Sequence, residues 1–362
     1  MSANEPRLFI GRGPARDGRT RRWRTETLDE AQTAAYITEG RLDDPADYDA
    51  DPGLVDAMNV ALLLGRPLLL TGRPGTGKSQ FAERVAWEFD LAPVLRFEAQ
   101  SVSEAQDLFY RFDTIGRLGA SQKGDARARD YLSLSALGKA VLYSNPMLEA
   151  AADVPPLKPP HPAPQHGRAS VVLIDEIDKA SRDFPNDLLN QIEKLTFTVP
   201  ELENRSFEAA RGSERRPIVV ITSNSERELP EPFLRRCIYY NIPDPQEERL
   251  RRIVATRVLS RLLERTVADG ATLPKLFHEL VGCFTAYRDK SGQRVLFKPG
   301  TSELLDLARV VAHDGEVRPD ESLKLDVNLA SAKRAAAAVA KGHADATEFR
   351  QHLDRWTPGG GT

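Results

Sequence analysis

Eight consecutive residues constrain this chain more than any other feature: Gly72-Arg73-Pro74-Gly75-Thr76-Gly77-Lys78-Ser79. A short apolar run, Pro67–Leu70, precedes them and a helical pattern follows, so they form the turn between a buried strand and a helix. Gly72, Gly75 and Gly77 let the backbone wrap with its N–H groups directed at an anion, and the helix N-terminus adds a favourable dipole. The spacing predicts that Gly72 through Ser79, including Arg73, Pro74 and Thr76, cradle the phosphates of a nucleotide. Lys78 then reaches the β- and γ-phosphates, and the Ser79 hydroxyl ligates Mg²⁺.

From Pro67 onward, strand-like runs alternate with helical patterns: Val94–Phe97, Val171–Ile174, Ile218–Thr222 and Ile238–Tyr240. This predicts a parallel sheet with crossover helices. The run Val171–Ile174 delivers Asp175 and Glu176 to its C-terminal end, where ligands bind in such sheets. Asp175 is expected to hold Mg²⁺ through water, and Glu176 to polarise the attacking water. Two adjacent acids argue against a simple kinase, which needs no water-activating base.

Length and charge set the frame. The 362 residues suffice for roughly two domains at about 150 residues each. Residues 1–50 read as an Arg-rich arm and an acidic, turn-rich lead-in, and 51–245 as the α/β core. The core is interrupted at 109–145 and by a Pro-rich linker at 154–164. Apolar residues then recur at helical spacing through Leu250, Ile253, Val254, Val258 and Leu262, and through Phe277, Leu280, Val281 and Phe284. A further helix is expected after Gly300, with Thr301 or Ser302 as cap and Leu304, Leu305 and Ala308 inward. That makes 246–345 a helical lid and 346–362 a C-terminal tail.

Fifty Lys+Arg against 53 Asp+Glu leave a net charge of −3, which gives no global field for nucleic acid or a membrane surface. Cys237 and Cys283 are too few for a disulfide framework, and the six histidines share no ligand spacing. No apolar run nears the roughly 18 residues of a membrane span, and the N-terminus lacks the apolar core of a signal peptide. The expectation is a cytoplasmic protein without membrane insertion.

With both acidic and Gly-rich motifs in place, the chain resembles an AAA+ ATPase, and most closely the MoxR-like group, over about residues 50–310. The resemblance implies a P-loop NTPase core followed by a small all-helical lid. It also implies that Asn224, after the strand Ile218–Ile221, orients water near the γ-phosphate. The stretch Leu229-Pro230-Glu231-Pro232-Phe233-Leu234-Arg235-Arg236-Cys237 is similar to the family segment whose arginine enters a neighbouring subunit's site. By that likeness Arg236 is the finger and Arg235 the alternative. Residues 109–145 fall where MoxR-like proteins carry an insert, and Phe197–Val199 with Phe207 where they carry a hairpin before the sensor strand. One position departs: Glu303 occupies the place of the family's lid arginine, leaving Lys298 and Arg294 as candidate substitutes. Asp178 and Lys179 read as loop and helix-start residues.

What the resemblance implies is ATP hydrolysis in a homo-oligomeric ring, a hexamer, that remodels or regulates a protein client. Such clients often carry a von Willebrand A domain. The alternative is a nucleotide-gated binding switch with little turnover, which the acid at position 303 motivates. A nucleic-acid motor fits less well, because the charge balance is acidic and no basic-aromatic groove motif is present.

Overall fold

The structure, a computed structural model, describes residues 44–121, 127–145, 148, 169–210, 215–259, 275–290, 298–314, 332–333, 335–341 and 343–355. The basic arm, the Pro-rich linker, Leu262 and Arg294 lie outside them. The chain divides into two units: 50–72 with 78–242 in one, and 39–49, 73–77 and 243–362 in the other.

The first unit is built on β1 (Leu68–Thr71), β2 (Leu95–Glu98), β5 (Val171–Asp175), β8 (Ile218–Thr222) and β9 (Ile238–Asn241). They pair in parallel in the order β2-β5-β8-β1-β9. Strands β1, β5 and β8 are buried along their whole length, which is why they read as continuous apolar runs rather than alternating ones. Registers such as Leu70↔Thr222 and Glu98↔Asp175 bring the C-terminal ends of β1, β2, β5 and β8 to one edge. Helix α1 (Pro52–Leu64) precedes β1. Its Asp51 cap accepts from Gly53 N–H at 2.9 Å, Pro52 opens it, and Gly65, at φ 61°, ends it in the left-handed conformation. Its inner face is Leu54, Val55, Met58 and Ala61; Leu63 is 75% exposed because it falls about half a turn off that stripe. Helix α2 (Lys78–Glu88) follows the Gly-rich turn and buries Phe81, Ala82 and Val85.

Of the stretch 109–145, β3 (Tyr110–Phe112) and β4 (Leu132–Leu134) form an antiparallel pair with Tyr110 opposite Leu134. Between them α3 (Thr114–Ser121) leaves Ile115 and Leu118 exposed. Helix α4 (Ala136–Ser144) packs against β2 and β5 and belongs to the core. After α5 (Phe184–Lys194), β6 (Thr196–Val199) and β7 (Arg205–Glu208) make the expected hairpin, turning through Glu203 and Asn204 at positive φ. Phe197 stacks on Phe207 and lies 4.9 Å from Phe109, ring to ring, so both hairpins share one aromatic cluster. Short α6 (Glu231–Leu234) leads into β9.

The second unit is helical: α7 (Glu247–Val254), a wide turn at Ala255–Leu259, α8 (Lys275–Lys290), α9 (Thr301–Asp314), α10 (Ala336–Val339) and α11 (His343–Arg355). Leu250, Phe277, Phe284, Leu304, Ala308 and Phe349 meet in its own core. Two expectations are corrected here. Helix α9 is capped not by Thr301 or Ser302 but by Gly300, whose carbonyl accepts from Leu304 N–H while its own N–H donates to Glu303 at 3.0 Å. This is the returning half of a capping box, which needs only an acid at the third helical position. The supposed tail at 346–362 begins inside α11, where Phe349 and Leu353, one turn apart, are buried. The acidic lead-in is also anchored: Asp49 carbonyl accepts from Arg249 Nη2 at 2.6 Å, and the Arg257 guanidinium lies over the Tyr48 ring.

Candidate active site

The site is assembled where the sheet ends. The first residue of the Gly-rich turn, Gly72, follows β1 directly, and Lys78 and Ser79 open α2. Gly75 and Gly77 take φ of 78° and 87°, which only glycine adopts without cost. Lys78 is 6% exposed and donates from Nζ to Gly72 carbonyl at 2.8 Å. Burial pushes its ammonium below the ordinary lysine value, opposed by the negative charges of Asp175, Asp178 and Glu176.

Asp175 ends β5 and is 8% exposed. Its Oδ1 accepts from Ser79 Oγ at 2.8 Å and from Thr222 Oγ1 at 2.5 Å. The Thr222 hydroxyl in turn accepts the Glu176 N–H at 2.9 Å. Glu176 has φ 55°, a left-handed conformation that a non-glycine residue holds only against a cost of about 1–3 kcal/mol. In that turn both carboxylate oxygens are engaged: Oε1 accepts from Asn224 Nδ2 at 3.0 Å, and Oε2 pairs with Lys179 Nζ. Ser79, the adjacent pair Asp175 and Glu176, and Asn224, from three separate places in the sequence, thus meet in one hydrogen-bonded group with Thr222 as its bridge. The donor set facing Ser79 and Asp175 is a hydroxyl and a carboxylate, both hard oxygens, which suits Mg²⁺ bound through few protein ligands together with phosphate and water. Among the described residues no group of three or more His, Cys, Asp or Glu is placed to hold a metal ion by itself.

Arg235 and Arg236 stand apart from this group. Arg235 pairs with Glu231 on α6, and Arg236 Nε lies 3.6 Å from Glu193. Both are exposed, at 76% and 45% of the side chain. Cys237 beside them is buried, and burial pushes its thiol up to about 12, so it packs as a neutral side chain.

Arg73, Pro74, Gly75, Thr76 and Gly77 group with the helical unit. There Arg73 Nη1 meets Asp244 at 3.3 Å and Nη2 donates to Lys298 carbonyl at 2.9 Å, while Lys298 Nζ lies 3.6 Å from the same Asp244. A Cβ added at Gly75 would strike Ser302 Oγ. Glu303, the acid at the lid position, turns its carboxylate onto Gly300 N–H and meets Lys341 Nζ at 3.2 Å.

Two residues outside the sequence-based set approach the site. Arg96, on β2, lies 3.9 Å from Asp175 and 3.2 Å from Glu83. An arginine in an edge strand carries no sequence signal of this, since only sheet order sets β2 beside β5. Asp178, read as a loop residue, is 3% exposed. Its signal was its position two residues past Glu176 with an apolar residue between.

Residues 67–237 match the family described as AAA domain (dynein-related subfamily). Together with the five-stranded parallel sheet and the helical C-terminal region, this fits an AAA+ α/β core plus a helical domain, and supports an AAA+ ATPase. Solved structures similar to it include a single-site variant of Thermotoga maritima RuvB (15% identity, TM-score 0.42), covering 77% of this chain and 66% of that one. Another is C. elegans PCH-2 (15% identity, TM-score 0.42), covering 82% of this chain and 73% of that one. The Thermotoga maritima RuvB Holliday junction branch migration motor is similar at 16% identity and a TM-score of 0.39, again over 77% and 66%. This chain thus spans about two thirds of the RuvB chains it resembles. No curated protein matches it. No helix among the described residues is long and apolar enough to cross a membrane.

Proposed function

We propose that this chain is a MoxR-like AAA+ ATPase that hydrolyses ATP in a homo-oligomeric ring and uses the turnover to remodel or regulate a protein client. The observation that carries the reading is the grouping of Ser79, Asp175, Glu176 and Asn224 around one strand edge, directly after a Gly-rich turn. In this reading the turn holds the phosphates of ATP and Lys78 neutralises them. Ser79 and Asp175 would hold Mg²⁺, which supplies charge neutralisation to the phosphate oxygens. Glu176 takes the proton of the attacking water, and Asn224 fixes the direction of that carboxylate. Arg236, or Arg235, acts on a neighbour's nucleotide; their exposure just after α6 is what a residue serving another subunit requires. A hexamer and a client with a von Willebrand A domain follow from the MoxR-like likeness, and a cytoplasmic setting from the composition.

A nucleotide-gated switch with little turnover is the second reading. It is favoured by Glu303 in the lid position and by the engagement of both Glu176 oxygens. One experiment separates the two. ATP turnover is measured with and without Mg²⁺, alongside the mass of the assembly with ATP, with ADP and without nucleotide. Mg²⁺-dependent turnover that Lys78→Ala abolishes through lost binding supports the motor. Binding and assembly without turnover support the switch. A chain that binds no ATP overturns both.

A further inference from the structure

Asp178 sits in the tight turn Ile177–Lys179 that follows Glu176, with its carboxylate buried. Its partners are backbone groups of the loop after β8. Asn224 N–H donates to both Oδ1 and Oδ2 at 3.2 Å, and Glu226 N–H donates to Oδ2 at 2.9 Å. Between these two amides Ser225 takes φ 60°, and its own N–H is satisfied by Ser223 Oγ at 3.0 Å. Amides on either side of a left-handed residue converge into a concavity that favours negative charge. Here the chain fills it with its own carboxylate.

We infer that Asp178 is a positioning residue that sets Asn224 for the water-activating step, a reading that rests on the function proposed above. Glu176 and Asp178 are two residues apart on one turn and take hold of the same residue at two points. Asp178 fixes the Asn224 backbone, and Glu176 accepts from its side-chain amide at 3.0 Å. The backbone grip matters because an asparagine side chain on a loose turn samples several rotamers, only one of which reaches Glu176. A neutral side chain could not replace it fully. Asp178→Asn keeps one acceptor oxygen and turns an NH₂ donor toward an N–H donor, which a converging pair of amides cannot accommodate. The buried carboxylate also adds to the negative potential that favours the charge on Lys78.

The test compares Asp178→Asn, Asn224→Ala, the double variant and Glu176→Gln in the full chain, reading kcat, nucleotide Kd, and amide hydrogen exchange. The expected result is a fall in kcat of about tenfold or more for Asp178→Asn, with Kd for ATP within about twofold of wild type. Exchange should quicken at the amides of Asn224 and Glu226. The double variant should lose no more than Asn224→Ala alone, since both changes break one coupled unit. Should Asp178→Asn fail to fold, Asp178→Ser carries the same expectations with a smaller side chain. Full kcat in either aspartate variant, while Glu176→Gln is inactive, overturns the inference; so does simple addition of the losses in the double variant. Full kcat in Glu176→Gln instead overturns the reading of the site on which it rests.

Discussion

Asn224 donates from its side-chain amide to Oε1 of Glu176 at 3.0 Å, tying the residue after β5 to the loop after β8. The bond gives the carboxylate one fixed direction, while its left-handed backbone gives it one fixed origin. Glu176→Gln keeps the size of the side chain and one acceptor oxygen for Asn224, and removes the negative charge that can take a proton and that pairs with Lys179. Turnover should fall by about 10²-fold or more, the scale of a positioned acid–base group. Binding of ATP, read by calorimetry, should persist. Wild-type turnover in this variant would remove Glu176 from the mechanism.

The second oxygen of Glu176 is held by Lys179, one turn along. A water that approaches this oxygen competes with the ammonium for its lone pairs. Hydrogen bonding to Glu176 and its charge hold the Lys179 ammonium above the ordinary lysine value, so it stays charged across the neutral range. Because the lysine is exposed, the pair is weak, and its release should have a modest effect. Lys179→Ala should raise basal kcat by no more than severalfold without changing nucleotide affinity. A fall in kcat would show that the lysine serves the reaction instead of restraining it.

Much of this site was legible because its parts lie in short local patterns. The Gly-rich turn and the apolar run ending in Asp175 and Glu176 announce themselves within a few residues. Strand order was not legible, nor was anything that depends on it: Arg96 reaches Asp175 only because β2 pairs with β5. The same limit hid Asp178, whose partners lie in a loop after another strand. Helix caps were misassigned at α9 because Thr301 and Ser302 are better isolated caps than Gly300. The reciprocal bond from Glu303 outweighs that preference. Helix α11 is not legible at the end of the chain because it buries few large residues and its apolar pattern is sparse.

A finger acting in trans stabilises transition-state charge in a neighbour's site, an effect on the order of 10³–10⁵ in rate for such arginines. Under the proposed function, Arg236→Ala keeps its own Gly-rich turn but should fail to complete the next site, while Lys78→Ala should offer an intact finger beside a damaged turn. Each alone should be nearly inactive. Mixed, they should recover activity at interfaces that join an intact Lys78 to an intact Arg236, and lose it on dilution. Repeating the mixture with Arg235→Ala identifies which arginine acts. No recovery despite verified co-assembly would exclude a site shared between subunits.

Glu303 gives a pH test that is independent of turnover. Burial disfavours its charge, but the N–H groups of Gly300 and of Glu303 itself, with the Lys341 ammonium, outweigh burial and hold the carboxyl below the ordinary value of 4.5. A carboxyl depressed in the folded state binds protons more readily when unfolded, so its contribution is present above the unfolded value and disappears as pH falls through the folded one. Glu303→Gln keeps an acceptor for Gly300 but loses the charge that meets Lys341 and the helix N-terminus. At pH 7 it should therefore unfold at a temperature lower by a few degrees, on the scale of roughly 2–4 °C per kcal/mol for a domain of about 150–250 residues. The gap between the two proteins should narrow below pH 4.5 and close once Glu303 is protonated in the wild type. A gap that stays constant from pH 7 down to the acid limb would mean that the carboxylate caps α9 by shape alone, and that its charge does nothing for the helical unit.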